Sequence, residues 1–278
     1  MKSFIVFLIV SVYLTELSAQ DLSAERVERA KAATVMITLD SINKMGSAFY
    51  INAEGHIATC WHVIEPAAIR NDKNEITGFK KIFILGKTGK RQTYSVPRYF
   101  YGIGYKLALI YDYCMLVPDA EVTTPTPFLK IGKFSTVKEG DEIYTCGYPL
   151  GIPQQFISRG IVSTKYSDTI TLSDASRYSR NVMLMDLTLN RGNSGGPILK
   201  VGETALDDEV IAMADFIVNP TGGNINYVID KLKSSGGISI QGFDTNLVLG
   251  QLLEYLSSTS VGVSGGMSID YFYNGWKK

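Results

Sequence analysis

Beyond residue 33 the chain is a succession of short β-branched and aromatic runs, each cut off by Gly, Asn, Pro or Asp. The runs are "TVMITLD" at 34–40, "GSAFYIN" at 46–52, "HIATCWHVI" at 56–64, "KIFILG" at 81–86 and "YKLALIYDYCMLV" at 105–117. They continue with "DEIYTCGY" at 141–148, "FISRGIVSTKY" at 156–166, "TITLS" at 169–173, "NVMLMDLTL" at 181–189, "EVIAMADFIV" at 209–218 and "INYVI" at 225–229. Short strands at regular spacing with turn residues between them predict an all-β sandwich or barrel. Helical patterns interleave too rarely for a parallel α/β sheet. The segment "VTTPTPF" at 122–128 reads as a linker between two strand groups of similar size. The exceptions are helical: 22–33, rich in helix formers, and a short helix at 229–235. A tail, 236–278, carries leucines at 247, 249, 252, 253 and 256 that predict one amphipathic helix.

Residues 1–19 differ in texture. Lys2 precedes an apolar run over 4–14, and the small residues Ser18 and Ala19 follow. The run is shorter than the about 20 apolar residues of a membrane span and reads as a cleavable secretory signal. The expected location is therefore secreted or periplasmic, with no integral span after cleavage. Charge adds little: Lys+Arg and Asp+Glu both total 27. Without a basic surplus, nucleic acid is not an expected partner. Three cysteines, Cys60, Cys114 and Cys146, are too few and odd in number for a disulfide framework. Two histidines expected far apart in space and scattered cysteines suggest no metal cluster, and no cofactor is expected.

The chemistry starts from "NRGNSGGPIL" at 190–199. Glycine, serine and proline there fit a tight turn. They also fit a serine nucleophile whose flanking backbone N–H groups stay open to a reacting carbonyl. A base is then required, and the only histidines are His56 and His62. About six residues of extended strand separate these by roughly 20 Å, so they cannot share one site. His62 is expected at the end of an apolar strand and His56 in a turn. Asp112, placed at the start of the strand "YDYCMLV", is the preferred carboxylate to orient the base.

Four segments in order, "GSAFYINAEGHIATCWHVI", "DYCMLV", "GYPLGIPQQFISRGIVS" and "RGNSGGPIL", resemble the trypsin-like serine proteases, nearest to the HtrA-type bacterial branch. The resemblance covers about 34–232. It implies two six-stranded antiparallel β-barrels with the site between them, the first over about 34–121 and the second over about 128–232. The protease domain would span 20–235, with 236–278 as a tail too short for a PDZ domain. It further implies His62 as general base, Asp112 as orienting acid, Ser194 as nucleophile, and the N–H groups of Gly192 and Ser194 as oxyanion hole; "KLALI" also fits the family pattern around the acid but puts Lys106, which could not accept from the histidine, in its place, and Asp119 is the third position. The implied substrate pocket is built from Thr188, Asn190, Ala212, Ala214, Asp215, Asn226, Tyr227 and Val228. Thr188 stands where trypsin carries an acid, so a strict Arg/Lys preference is not expected. A small or medium apolar side chain is. Asn193, in place of the aspartate that pairs with a freed amine, argues against activation by N-terminal cleavage. The implied activity is serine endopeptidase, acting on protein or peptide substrates through an acyl-enzyme. A catalytically degenerate peptide-binding protein and an esterase are the other readings of the same residues. Alternation along strands would put Cys60 beside His62 and Cys114 beside Asp112. Whether the two thiols pair depends on Cα atoms within about 7 Å.

Overall fold

A computed structural model describes residues 22–271, apart from 41, 87–88, 173, 218–223, 236, 238, 241–242 and 258–262. The signal segment expected at 1–19 lies outside the described residues, as does the aromatic end 272–278. Helix α1 (Ala24–Ala33) begins where the Ser23 hydroxyl accepts from the Arg26 N–H, with Glu25 in its first turn and Lys31 in its last, the charge order a helix dipole favours. The first barrel follows. Its strands are β1 (Thr34–Leu39), β2 (Ile42–Tyr50), β3 (Ile57–Thr59), β6 (Ile82–Leu85), β7 (Arg91–Ser95) and β8 (Cys114–Pro118). They close in the order β1-β2-β3-β8-β7-β6, all antiparallel. Between β3 and β6 come a short helix α2 (Trp61–Ile64) and a small hairpin of β4 (Ala68–Arg70) and β5 (Ile76–Phe79). Helices α3 (Arg98–Tyr101) and α4 (Tyr105–Tyr111) lie between β7 and β8.

After a stretch around the expected linker and the short strand β9 (Lys130–Ile131), the second barrel begins. It contains β10 (Glu142–Gly147), β11 (Phe156–Thr171), β12 (Arg177–Asp186), β13 (Pro197–Lys200) and β14 (Glu209–Ile217). The chain then runs through α5 (Asn224–Ser234), β15 (Ser239–Ile240), β16 (Phe243–Asp244) and α6 (Thr245–Ser257) to β17 (Val263–Ser268). The sheet order is β13-β10-β11-β12-β17-β14, with β13 paired to β14 to close the ring and β9 lying parallel to β14 outside it. Two closed six-stranded antiparallel barrels are the expected architecture.

Two local expectations are corrected. "YKLALIYDYCMLV" is not one strand: Tyr105–Tyr111 is helical and β8 begins only at Cys114. Lys, Leu and Ala are strong helix formers, and Ala108 and Ile110 are buried on the helix. The second barrel also does not end near 232. Its sixth strand, β17, comes from the expected tail and pairs with β12 from Val182–Met267 to Asp186–Val263, and with β14 on its other edge. The run 225–229, expected as a strand, is helical instead and continues into the helix expected at 229–235, and the leucine pattern of the tail does form a helix, α6.

Apolar packing is continuous from one barrel to the other. The first cluster combines Val35, Ile37, Phe49, Ile57, Trp61, Ile82 and Leu116 with Tyr144, Cys146, Val210 and Met213 of the second barrel. A second cluster of Phe134, Ile143, Val162, Met183, Met185, Leu187, Ile198 and Ile211 fills the second barrel. Helix α1 adds polar anchorage. Arg26 pairs with buried Asp208 and donates to the carbonyl of Gly202 at 2.7 Å, while the Tyr144 hydroxyl donates to the other oxygen of Asp208 at 2.7 Å. Because β17 has a barrel strand on each side, a chain ending at Ser257 is expected to lose the cooperative unfolding of the second barrel, read by calorimetry against the full chain. An unchanged transition would mean that β12 and β14 close without it.

Candidate active site

The site is assembled from both barrels. On α2, Trp61, Val63 and Ile64 are buried, and Trp61 packs edge-on against Tyr105 of α4 at 5.5 Å and Phe79 at 5.9 Å. His62 is the residue of this short helix left facing outward, with a side chain 46% exposed. It therefore emerges from a helix rather than from the expected strand end. Asp112 caps α4 in the left-handed region, φ 47° and ψ 50°, a conformation that Asp tolerates better than most residues. From there it grips His62 twice. One carboxylate oxygen accepts the His62 backbone N–H at 2.8 Å, and the other lies 2.5 Å from Nδ1. Tyr111, the residue before Asp112, stacks on Tyr271 just beyond β17, with centroids 3.9 Å apart and planes 9° apart. Lys106 points elsewhere, to Asp174 and Ser176 of the β11–β12 hairpin tip. Asp119 accepts from Ser95, and His56 is held in its turn by Asn52. Of the three candidates for the acid, Asp112 is the one beside His62.

The loop carrying Ser194 is fixed by main-chain bonds. Ser47 of β2, fully buried, donates its N–H to the Ser194 carbonyl at 2.9 Å and its hydroxyl to the Gly192 carbonyl at 2.7 Å. The same hydroxyl accepts the Tyr148 N–H at 2.9 Å, and the Thr59 hydroxyl donates to the Ser47 carbonyl at 2.8 Å. The Arg191 carbonyl accepts the Leu150 N–H at 2.6 Å. In a trans peptide this aims the Gly192 N–H the opposite way. Among the described residues no acceptor takes the N–H of Gly192 or of Ser194. Both are thus available to a ligand oxygen, as an oxyanion hole requires. Gly192 has φ +100° and a Cβ there would sit 2.3 Å from the Tyr148 carbonyl oxygen. At Gly195, φ +82°, it would meet Thr59 Oγ1 at 2.2 Å and the Ser47 carbonyl oxygen at 2.3 Å. Asn193 is buried and donates its N–H to the Asn190 carbonyl.

Ser194 Oγ lies 3.5 Å from the main-chain carbonyl of Asp215, at the long limit of a hydrogen bond. Asp215 also brings a second carboxylate to the histidine: its Oδ1 is 3.8 Å from His62 Nδ1. A bulge explains the direction. In the β14–β17 pairing Ala214 faces Gly266 and Phe216 faces Gly265, so Asp215 is the extra residue, and bulges re-aim the side chains they carry. Asp215 therefore faces His62 and Asp112 rather than a substrate pocket. Ala212 and Ala214 are core residues of the second barrel, with no face open to a substrate. Thr188 is exposed and Asn190 partly so. Asn226, Tyr227 and Val228 belong to helix α5 rather than to a strand beside β14, and their side chains lie outside the described residues. Among the described residues the pocket set expected from the resemblance is not brought together, and β17 rather than 226–228 is the strand beside β14.

Burial alone would lower the pKa of His62, but the hydrogen bond and charge of Asp112, with the charge of Asp215, raise it overall. Burial works to raise Asp112, and its bonds to His62 bring it below the usual carboxylate value. For Asp215 the charges of His62 and Arg180 compensate only in part: burial first, and the neighbouring Asp112 charge and hydrogen bond next, push it from 3.8 up to about 7. Cys60 is fully buried, and burial with the two carboxylates keeps its thiol protonated. It donates to the Ala214 carbonyl at 3.3 Å. All three cysteines are free thiols, so Cys60 and Cys114 are not paired. One ligand atom each from Cys60, His62, Asp112 and Asp215 lie within 4.8 Å of one another. The fold brings together residues that lie far apart in sequence.

Ser47 carries no role in the sequence analysis, and Asp215 is expected there in the substrate pocket rather than beside His62. Ser47 stands in the quoted "GSAF", yet its hydroxyl bonds depend on a loop about 145 residues away. The carboxylate of Asp215 depends on a bulge, which the alternation of "EVIAMADFIV" does not disclose.

A double-barrel protein with a carboxylate–histidine pair on one barrel, a glycine-flanked serine loop on the other and two open N–H donors is a chymotrypsin-type architecture. The trypsin-like peptidase domain model matches residues 46–206, more than half of the chain, and the chain belongs to that family. Its similarities fall in the HtrA branch. It is 27% identical over 206 residues to a DegP-like periplasmic serine endoprotease of Rickettsia conorii, covering 70% of this chain and 35% of that protein. It is 28% identical over 202 residues to the protease Do-like 14 of Arabidopsis thaliana, covering 70% and 42%. The chain thus spans about two fifths or less of the length of these relatives. In structure it is similar to the HtrA-type protease AlgW solved with a tripeptide, with TM-score 0.55 and 17% identity, over 90% of this chain and 61% of that one.

Two predictions follow from the geometry. Gly195→Ala, strained in φ and in contact with Thr59 and Ser47, is expected to destabilise the fold by about 1–3 kcal/mol or more, read by chemical denaturation. The raised Asp215 pKa also has a definite sign. A carboxyl that binds its proton more tightly when folded contributes stability that is full below about pH 4 and falls as pH rises through about 7. Asp215→Asn, neutral at every pH, is expected to raise Tm over the unsubstituted chain more at pH 8 than at pH 5. Equal gains at both would mean that Asp215 does not carry the shift.

Proposed function

We propose that the chain is a serine endopeptidase that cleaves peptide bonds in exported proteins through an acyl-enzyme. The observation that carries the proposal is the two-point hold of Asp112 on His62. It fixes the proton on Nδ1 and leaves Nε2 as the basic nitrogen. In this reading His62 removes the proton of Ser194 as the hydroxyl attacks the substrate carbonyl. The tetrahedral oxyanion is received by the N–H groups of Gly192 and Ser194, each worth about 3–4 kcal/mol in such sites. The imidazolium, stabilised by Asp112, then protonates the leaving amine. Water repeats the sequence to release the acyl group. Location outside the cytoplasm is supported by the signal-like residues 1–19 and by the periplasmic naming of the bacterial relative. Among the described residues no helix is long and apolar enough to cross a membrane.

One observation favours the binding-only reading. Ser194 Oγ is bonded to the Asp215 carbonyl, and no hydrogen bond joins it to His62 among the described residues. In triads of this type the serine–base contact often tightens only with substrate in place, so the endopeptidase reading is preferred. The test is labelling of the chain by a fluorophosphonate, with parallel hydrolysis of a peptide amide and the matching ester. Ser194→Ala is expected to abolish labelling, and His62→Ala and Asp112→Asn to slow turnover by about 10⁴-fold. Ester cleavage without amide cleavage would favour an esterase. A folded chain that never labels would favour the binding protein. His62 must be neutral to act and its pKa is raised, so turnover is expected to climb with pH through a value above the ordinary 6.5.

A further inference from the structure

The group on the Nδ1 side of His62 is larger than a triad needs. A neutral imidazole has one proton to give there, and Asp112 takes it at 2.5 Å. Asp215 nonetheless turns its carboxylate to the same nitrogen, 3.8 Å away. Its side-chain hydrogen-bond partner is the other carboxyl, Asp112, so the two acids share one proton site beside the imidazole. Arg180, the cation whose charge reaches it, is bound to Asp168 at 3.0 and 2.8 Å. The Cys60 sulfur completes a set of four atoms, one S, one N and two O, within 4.8 Å of one another. Three groups able to carry negative charge thus converge on one imidazole nitrogen.

We propose that Cys60, His62, Asp112 and Asp215 form a binding site for a borderline-soft divalent cation of the zinc class, and that its capture switches off the base. Sulfur and imidazole donors select zinc-class ions over magnesium and calcium, which prefer all-oxygen sets. Four donors suit tetrahedral zinc. At zinc–ligand distances of about 2.0–2.3 Å the ligand atoms lie about 3.3–3.8 Å apart. The present spacings, from 2.5 Å between His62 and Asp112 to at most 4.8 Å, reach that by modest side-chain movement. Entry is past His62, whose side chain is 46% exposed.

The inhibitory step is a shift of protons with no change of oxidation state. The metal takes the Nδ1 lone pair, so the ring proton moves from Nδ1 to Nε2. The Cys60 thiol proton passes to solvent as the metal–sulfur bond forms, and Asp112 exchanges its hydrogen bond for a metal–oxygen bond. With a proton on Nε2 the ring has no lone pair left for the Ser194 hydroxyl. This inhibitory half rests on the peptidase reading; the binding half does not.

The binding arm uses the full chain and its Ser194→Ala variant, which cannot digest itself, titrated with zinc chloride against a chromophoric chelator. One zinc per chain is expected. Asp215→Asn and Cys60→Ala should each weaken it about 10-fold or more. Cobalt(II) on the Ser194→Ala chain should give a thiolate-to-metal charge-transfer band, which decides the sulfur ligand without a core substitution. In the activity arm, zinc is expected to stop fluorophosphonate labelling, EDTA to restore it and magnesium to leave it unchanged. No zinc uptake, equal affinity in both variants, or cobalt spectra without the sulfur band would overturn the site. Zinc bound as expected with labelling unchanged would overturn the switch. A metal-free chain that does not label would count against the peptidase reading alone, since the titration and the cobalt band still decide the site.

Discussion

The two barrels are joined at the site by Ser47. It belongs to the second strand of the first barrel, yet three of its polar groups are spent on the other side of the cleft or on holding that position. Its N–H and hydroxyl bind the Ser194 and Gly192 carbonyls, its oxygen receives Tyr148, and Thr59 secures its own carbonyl. None of these groups reaches water, because Ser47 is fully buried. A buried hydroxyl without partners would cost about 1–3 kcal/mol, so the bonds are mutually enforcing: the serine loop is shaped by the first barrel, and the first barrel is satisfied by the loop. The open N–H groups of Gly192 and Ser194 are aimed by the carbonyls of their own peptides, Arg191's taken by the Leu150 N–H and Asn193's by the Gly196 N–H, within the loop that Ser47 anchors.

On the other wall the same economy of groups holds the histidine. Asp112 uses one oxygen for the backbone of His62 and the other for its ring, so the position and the tautomer of the imidazole come from a single side chain. That side chain sits at a strained helix end. The stack of Tyr111 on Tyr271 and the packing of Trp61 on Tyr105 oppose its relaxation. Site geometry in the first barrel is in this way tied to residues that follow the last strand of the second.

Much of this was legible in the chain. The apolar runs and their turn residues indicate two antiparallel barrels, and Ser194, His62 and Asp112 stand out by residue type and order. What stayed hidden has a physical reason in each case. His62 and Asp112 are on short helices because Trp61 and the "KLALI" segment bury helical faces, a tertiary preference that a β-rich composition masks. Asp215 reads as an ordinary strand residue because a one-residue bulge leaves no mark in hydrophobic alternation. The strand after 262 reads as part of a tail because its small residues, "VSGGMS", carry weak strand propensity. They fit between β12 and β14 by being small.

That last strand has a kinetic meaning. β12 and β14 face the same gap in the ring, and the segment that fills it arrives only after two helices and a small hairpin have intervened. Pairings so distant in sequence pay their loop-closure entropy late and slow folding. Until β17 docks, two strand edges stay open, the condition under which chains pair with one another instead. Closure of the second barrel, and with it the wall that carries Ser194, is therefore expected to be paced by its most distant strand.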